Sequence, residues 1–251
     1  MSLLSRVARL PLRLVPRGAT VPILSGPLRG WKWVAGSATH GCWLGIYERE
    51  TQAVFARLVR EGDVVYDIGA NVGFFTLLAA RLAGRGGAVY AFEPLPHNLA
   101  YLRKHIAANH AAVYVLPVAL SSSSGAAWFA TATSAAMGRL ADAGDLEVRT
   151  ETVDELVSSG RISPPRFMKI DVEGAEHAVL TGAAATLTRD RPVILLSTHG
   201  YLIHEQCCAF LRELRYDIEV IRDGTADGQY TLIATRDEPA TSTIPPYTSV
   251  R

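Results

Sequence analysis

From residue 63 onward the sequence alternates between short apolar runs and segments with helical periodicity. Such alternation predicts a largely parallel sheet that is covered by helices on both faces. The last two runs are joined by a short link containing Asp223 and Gly224 with no crossover helix, which predicts a hairpin and one antiparallel strand. We therefore expect seven strands, six parallel and one reversed. The strand-like runs lie at 64–68, 88–93, 113–118, 167–171, 192–198, 216–221 and 229–235.

Two segments do not follow this alternation. Residues 119–152 hold a serine-rich turn and two further strand-like runs, which predict a hairpin inserted beside the edge of the sheet. Residues 237–251 contain three prolines and several serines and threonines, which are typical of a loose C-terminal tail. The main domain is therefore expected to span residues 51–236. One continuous helix is expected from about residue 175 to residue 187.

The N-terminal arm, residues 1–50, differs from the rest of the chain in charge. Residues 1–46 carry six basic side chains and no acid, so the remainder has a net charge of −5. The first seventeen residues are typical of a membrane-surface segment, a transit peptide or an arm that packs on the body. The arm also holds an aromatic cluster, which would either pack internally or form a lid over a ligand. This cluster consists of Trp31, Trp33, Trp43 and Tyr47.

Composition excludes several classes of protein. A net charge of +1 lacks the strong basic excess of duplex-binding proteins, so we expect no nucleic-acid partner. No uncharged apolar stretch reaches 18 residues, so a spanning helix is not expected. Three cysteines, two of them adjacent, cannot build a disulfide framework. A reducing compartment follows as the default, and we expect a cytoplasmic protein.

The first candidate site follows the first strand of the predicted sheet. Ligands of open parallel sheets bind beyond the carboxyl ends of the strands, and Asp67, Gly69, Asn71 and Gly73 lie there. Asn71 occupies the place of the second glycine of a dinucleotide motif, so a pyrophosphate cradle fits poorly. Asp67 can instead hold a ligand ammonium while backbone amides meet a carboxylate. The alternative is a plain glycine turn in which Asp67 caps the helix.

Glu93 ends the second strand, 24 residues after Gly69. A carboxylate at this place can accept hydrogen bonds from both hydroxyls of a ribose. An exposed acid at a strand end is the alternative. The combination of strand, glycine turn, helix, strand and acid in one unit is more specific than either part, and it predicts a nucleoside ligand.

The ends of the fourth and fifth strands supply candidates for catalysis. Asp171 ends one run and His199 ends the other, so both side chains are expected to flank one crevice. Either can take a proton from a hydroxyl, although His199 can equally be a hydrogen-bonded structural residue. A divalent metal, if one is used, would take Asp171, Glu173 and His199. Glu176 is interpreted as an acid that decorates a helix N-terminus.

Six ordered segments of the chain resemble the FkbM family of S-adenosylmethionine-dependent methyltransferases. These segments are 45–48, 65–73, 91–98, 118–121, 152–156 and 168–176, and the resemblance covers residues 41–236. The resemblance implies a Rossmann-like class I fold with S-adenosylmethionine as cofactor. It also implies O-methylation of a small hydroxylated acceptor such as a sugar or a polyketide. The chain departs from the family at Ser197 and Thr198, where an acid often precedes the histidine.

The resemblance also implies roles for particular residues. Asp67, Gly69, Asn71 and Gly73 would surround the methionine part of the donor, and Glu93 would bind its ribose. Two further residues, Ala119 and Leu120, would lie along the adenine. Asp171 would face the methyl group that is transferred.

Other functions remain open at this point. A non-catalytic nucleoside-binding protein, with an arm for assembly or peripheral membrane contact, would share the donor motifs. A methyltransferase acting on nucleic acid or protein is a second alternative. Nucleobase N-methyltransferases usually have an Asn/Asp-Pro-Pro-aromatic turn after the fourth strand. In this chain the residues at that turn are Asp171-Val-Glu-Gly174. The sequence leaves the acceptor and the oligomeric state open.

Overall fold

The computed structural model describes residues 15–131, 138–141, 146–224 and 226–236. Most of the proposed membrane-surface or transit segment, residues 1–14, and the predicted C-terminal tail, residues 237–251, lie outside the described residues. No helix within the described ranges is long and apolar enough to cross a membrane.

Thirteen strands and eight helices are found in this part of the chain. The strands are β1 (Thr20–Pro22), β2 (Lys32–Val34), β3 (Val64–Ile68), β4 (Ala88–Phe92), β5 (Tyr114–Leu116), β6 (Ala119–Leu120), β7 (Gly125–Thr131), β8 (Gly138–Ala141), β9 (Leu146–Glu151), β10 (Phe167–Ile170), β11 (Val193–His199), β12 (Asp217–Asp223) and β13 (Gln229–Thr235). The helices are α1 (His40–Leu44), α2 (Arg49–Leu58), α3 (Phe74–Ala83), α4 (Pro96–Asn109), α5 (Val153–Ser158), α6 (Glu176–Thr181), α7 (Ala184–Asp190) and α8 (Tyr201–Glu213).

The central sheet has seven strands in the order β12-β13-β11-β10-β3-β4-β5. β13 pairs antiparallel with both of its neighbours, and every other neighbouring pair is parallel. The predicted sheet of six parallel strands and one reversed strand is therefore confirmed. From β3 the chain extends the sheet in one direction through β4 and β5 and in the other through β10 and β11. This reversal opens a crevice at the carboxyl ends of β3 and β10, where ligands of such sheets bind.

The sheet is buried on both faces because side chains alternate along each strand. Val65 and Phe167 enter one apolar cluster, whereas Tyr66 and Met168 enter the other. α2, α3 and the described part of the arm pack on the first face, while α5 to α8 pack on the second. Burial on both faces explains why the strands read as continuous apolar runs.

Two predictions about local structure are wrong. The described residues between 119 and 152 form a separate four-stranded sheet in the order β6-β9-β7-β8, not a hairpin. β7 and β9 do pair antiparallel as expected, but β6 and β8 each add a strand. The helix predicted over residues 175–187 is divided into α6 and α7. α7 begins afresh because the Asp154 carboxylate accepts hydrogen bonds from the backbone N–H groups of Ala185 and Thr186.

The described part of the arm packs tightly against the body. β1 and β2 form a hairpin, and Trp33 of β2 is completely buried. Its indole stacks on the imidazole of His105 in α4, with ring centroids 3.8 Å apart. Nε2 of His105 accepts a hydrogen bond from the Val34 N–H at 3.0 Å, and its Nδ1 lies 2.7 Å from the carbonyl oxygen of Val72. The arm is thereby joined to the glycine turn after β3.

Candidate active site

A cavity of about 390 Å³ opens at the carboxyl ends of β3, β4 and β10. The turns after these strands line it, together with β6 and part of the arm. Eight of the nine residues predicted to bind cofactor or to act in catalysis line this cavity, and they are Asp67, Gly69, Asn71, Gly73, Glu93, Ala119, Leu120 and Asp171. His199 is not among the lining residues.

The glycine turn after β3 brings two strand ends unusually close together. Gly69 has a φ of +79°, and a Cβ atom there would lie 2.0 Å from the carbonyl oxygen of Asp171. Asn71 also adopts a left-handed φ of 50°. Only glycine fits the position of Gly69, because a side chain would meet backbone that cannot move aside. The main chains of β3 and β10 therefore approach each other directly beneath the cavity.

Glu93 is buried and connects the end of β4 to the glycine turn. One carboxylate oxygen accepts a hydrogen bond from the Asn71 N–H and the other from the Leu95 N–H, both at 2.8 Å. Burial raises the pKa of Glu93, and these two hydrogen bonds oppose the shift. A carboxylate fixed in this way can still accept further hydrogen bonds from a ligand, since each oxygen has two lone pairs.

A buried lysine joins two of the predicted site residues. The Lys169 ammonium lies 3.1 Å from Oδ2 of Asp171 and 3.9 Å from Oδ1 of Asp67. It also lies 5.1 Å from the centre of the Phe75 ring. Burial favours the neutral amine, but the charges of Asp171 and Asp67 outweigh it and raise the pKa of Lys169. Lys169 was not predicted as a site residue, although a lysine inside a fully buried strand is a signal that sequence alone contains.

Asp67 has one occupied and one available oxygen. Its Oδ2 accepts a hydrogen bond from the Thr76 hydroxyl at 2.5 Å, whereas its buried Oδ1 has no hydrogen-bond partner among the described residues. Burial raises the pKa of Asp67, and the Lys169 ammonium opposes that shift. A buried, unpartnered carboxylate oxygen at a cavity wall is suited to a hydrogen-bond donor from a ligand.

Asp171 is the first residue after β10 rather than the last residue of the strand. Its carboxylate is 23% exposed and its other oxygen, Oδ1, lies 3.8 Å from Nε2 of His199. His199 itself ends β11, and its Nε2 lies 3.5 Å from Oε2 of Glu173. The structure thus brings Asp171 and His199 together, with Asp171 facing the cavity and His199 behind it.

Glu176 lies in the first turn of α6, where it was interpreted as an acid at a helix N-terminus, but it is not exposed to solvent. Its side chain is completely buried beneath α8, and its Oε1 lies 2.7 Å from Nδ1 of His199. Burial lowers the affinity of His199 for a proton, but Glu176, Asp171 and Glu173 outweigh it and raise the pKa of His199. In the described ranges, no group of three or more His, Cys, Asp or Glu side chains is arranged to hold a metal ion, the trio Asp171, Glu173 and His199 included.

The arm contributes directly to the cavity wall. Tyr47 and Glu48 line it beside Thr39 and Ser37. Glu48 adopts a left-handed backbone conformation with a φ of 42°, directly before α2. The aromatic cluster, predicted either to pack internally or to form a lid, combines both kinds of contact. Trp33 is buried in the first apolar cluster, whereas Tyr47 packs on Phe74 and also faces the cavity.

The sheet order, the glycine turn after β3 and the acid after β4 define the Rossmann-like class I methyltransferase fold. Residues 67–218 match the family model described as Methyltransferase FkbM domain. The chain therefore belongs to the FkbM family of S-adenosylmethionine-dependent methyltransferases.

Relatives with assigned activities are moderately similar. The chain is 29% identical over 177 residues to hexuronic acid methyltransferase AglP of Haloferax volcanii, covering 70% of this chain and 72% of AglP. It is also 29% identical over 159 residues to 31-O-demethyl-FK506 methyltransferase FkbM of Streptomyces tacrolimicus, covering 49% of this chain and 60% of that protein. Among solved structures, precorrin-6y C5,15-methyltransferase of Geobacter metallireducens matches with a TM-score of 0.52 and 17% identity, over 76% of this chain and 91% of that chain. This likeness concerns the fold alone.

Proposed function

We propose that this methyltransferase transfers a methyl group from S-adenosylmethionine to a hydroxyl of a small sugar, polyketide or similar metabolite. The observation that carries the proposal is the carboxylate of Asp171, which lines the cavity and is held in place by the buried ammonium of Lys169. The names of the two relatives, one a hexuronic acid methyltransferase and one a 31-O-demethyl-FK506 methyltransferase, support a small acceptor.

The lining of the cavity suits the proposed donor. The free Oδ1 of Asp67 can accept a hydrogen bond from the donor's ammonium, and Glu93 can accept hydrogen bonds from ribose hydroxyls. Ala119 and Leu120 supply apolar surface for the adenine. Five carboxylates and one lysine are found in the described part of the lining, and this excess of negative charge favours a cationic ligand. The five are Glu48, Asp67, Glu93, Asp171 and Glu173.

The donor, when bound, supplies an electrophilic methyl group on a positively charged sulfur. The protein's contribution is alignment of the two reactants, which can lower a barrier by ~7–11 kcal/mol in favourable systems, and removal of the hydroxyl proton. Asp171 is the proposed base, since it faces the cavity, and His199 lies directly behind it. A positioned base contributes ~10²–10⁴-fold.

The donor is tested by titration calorimetry of the purified protein with S-adenosylmethionine, S-adenosylhomocysteine and NAD. We expect binding of the first two and none of NAD. Glu93→Gln should weaken donor binding by about tenfold or more, because hydrogen bonds to a charged acceptor are worth ~1.5–3 kcal/mol. The control is Glu147→Gln, in the exposed part of β9 away from the cavity lining. Binding of NAD in preference to S-adenosylmethionine would refute the donor assignment.

The base is tested with Asp171→Asn and a panel of hydroxylated acceptors incubated with labelled donor. We expect kcat to fall by about 10²-fold or more while donor affinity stays near that of the wild type, since the amide keeps the shape but cannot take a proton. Asp217→Asn serves as control, because Asp217 is the exposed first residue of the edge strand β12 and does not line the cavity. Unchanged turnover would remove Asp171 from the mechanism. Donor binding without transfer to any hydroxyl would favour the non-catalytic alternative.

A further inference from the structure

The surroundings of Glu176 differ from those of a solvent-exposed acid in burial and in hydrogen bonding. Its side chain is completely buried, and Oε1 accepts hydrogen bonds from the Gly174 N–H at 3.0 Å and from His199. Oε2 has no hydrogen-bond partner among the described residues. Burying a carboxylate is costly unless a cation or strong donors compensate it. The imidazole of His199, whose side chain is 20% exposed, is the ionisable donor that meets the buried carboxylate, so the two side chains form a pair.

The contact determines which nitrogen of His199 carries the proton. A carboxylate only accepts hydrogen bonds, so the short contact of 2.7 Å between Oε1 of Glu176 and Nδ1 of His199 requires the proton on Nδ1. Nε2 then carries the lone pair of the neutral ring, and it accepts a hydrogen bond from the side-chain amide of Gln229 at 3.2 Å. It also faces Oδ1 of Asp171 at 3.8 Å and Oε2 of Glu173 at 3.5 Å.

We propose that Glu176 is a positioning residue that holds His199 in the Nδ1–H tautomer, so that Nε2 receives the proton which Asp171 takes from the acceptor. This inference rests on the proposed methyl transfer. As the new C–O bond forms, the S–CH₃ bond breaks and its electron pair stays on sulfur. The hydroxyl proton passes to the Asp171 carboxylate and then to Nε2 of His199. The resulting imidazolium is stabilised by Glu176, which is the arrangement of a buried carboxylate behind a histidine base.

The groups around the imidazole determine when it can accept that proton. Asp171, Glu173 and Glu176 favour its charged form, burial opposes it, and the ammonium of Lys169 lies beyond Asp171. The Cys207 thiol of α8 lies near Glu176, and burial raises the pKa of this thiol to about 12, so it stays neutral. Loss of the Glu176 charge therefore removes the closest anion from the ring.

The first test needs no acceptor and uses the full chain. Imidazole resonances of ¹⁵N-histidine-labelled protein are recorded as a function of pH, and His199 is identified by the signal that His199→Gln removes. We expect the neutral ring to carry its proton on Nδ1 in the wild type and to lose that preference in Glu176→Gln. The control is Glu173→Gln, in which the Nδ1 contact remains. A neutral wild-type ring protonated on Nε2 would overturn the proposal even if Glu176→Gln does not fold.

The second test measures the rate of methyl transfer against pH. In Glu176→Gln we expect kcat to fall by about tenfold or more and the acidic limb of the profile to move to lower pH, while donor affinity stays unchanged. Equal kcat and an unmoved acidic limb would overturn the role of Glu176. If the wild-type protein does not bind the donor, the proposed function itself is refuted. Calorimetry therefore distinguishes failure of the proposed function from failure of the role of Glu176.

Discussion

At the scale of single residues, the candidate site is a line of ionisable side chains in which carboxylates alternate with nitrogen bases. Glu176, His199, Asp171, Lys169 and Asp67 follow one another with adjacent polar atoms between 2.7 and 3.9 Å apart. His199 and Lys169 each lie between two carboxylates. Because the interior screens charge poorly, each member fixes its neighbours more firmly than a surface pair would.

Lys169 is the member whose removal has the clearest consequence. Lys169→Met leaves Asp67 and Asp171 without their shared cation, and breaking a buried pair in this way typically costs about 3–5 kcal/mol. We expect the free energy of unfolding, measured with denaturant, to fall by an amount in that range. The control is Lys104→Met, because Lys104 is an exposed lysine of α4 that lies 5.4 Å from the Tyr101 ring. This substitution should change the free energy of unfolding little. Equal stability of Lys169→Met and wild type would show that the ion pairs of Lys169 with Asp67 and Asp171 contribute nothing net to folding.

At the scale of elements, the close approach of β3 and β10 shapes the floor of the cavity. Gly69→Ala adds left-handed strain of roughly 1–2 kcal/mol and places a Cβ atom 2.0 Å from the carbonyl oxygen of Asp171. Gly62→Ala is the matched control, because Gly62 has a φ of +89° with nothing within 4 Å of its Cβ position. We expect Gly69→Ala to be the less stable variant by chemical denaturation and to lose donor binding. Equal effects of both substitutions would contradict the close approach.

Much of this architecture is predictable from sequence, because periodicity and turn residues are local signals. The seven central strands and the reversal at β13 follow from apolar runs and from a link too short for a crossover helix. In the sheet formed by β6 to β9, the pair β7 and β9 was predicted, whereas β6 and β8 were not, because strands of two and four residues carry little periodic signal. The break between α6 and α7 depends on Asp154, 32 residues before Thr186, and no local pattern reports such a contact.

The same limit explains Glu176. Its sequence position, at the start of a helix, is one where acids are favoured for electrostatic reasons, and this local pattern does not report whether the side chain is buried. Its burial results from α8 packing on α6, a contact between helices whose first residues are 25 positions apart in sequence. His199 and Asp171 were predictable because the strand-end rule for parallel sheets depends only on topology.

At the scale of the whole molecule, His105 connects the arm, α4 and the glycine turn. The ring stacks on Trp33, accepts a hydrogen bond from Val34 and donates one to the carbonyl oxygen of Val72. Both nitrogens are thus used by a neutral ring, and burial lowers the pKa of His105 to about 4. Protonation would cost the hydrogen bond from Val34, so the state of one imidazole is linked to the docking of the described part of the arm.

The pH dependence of stability tests this link. At a pH between about 4, the pKa of His105 in the folded chain, and about 6.5, its ordinary pKa, the unfolded chain binds a proton at this histidine that the folded chain does not bind. The free energy of unfolding therefore falls as the pH is lowered through this range. At ~1.4 kcal/mol per unit, the loss reaches about 3 kcal/mol. The raised pKa values of Asp67 and Glu93 act in the opposite direction, but they do so equally in wild type and in His105→Gln. We therefore expect the stability difference between the two proteins, measured by denaturation at pH 7 and at pH 4, to shrink by about that amount. A difference that does not change with pH would show that His105 is not held neutral between the arm and the glycine turn.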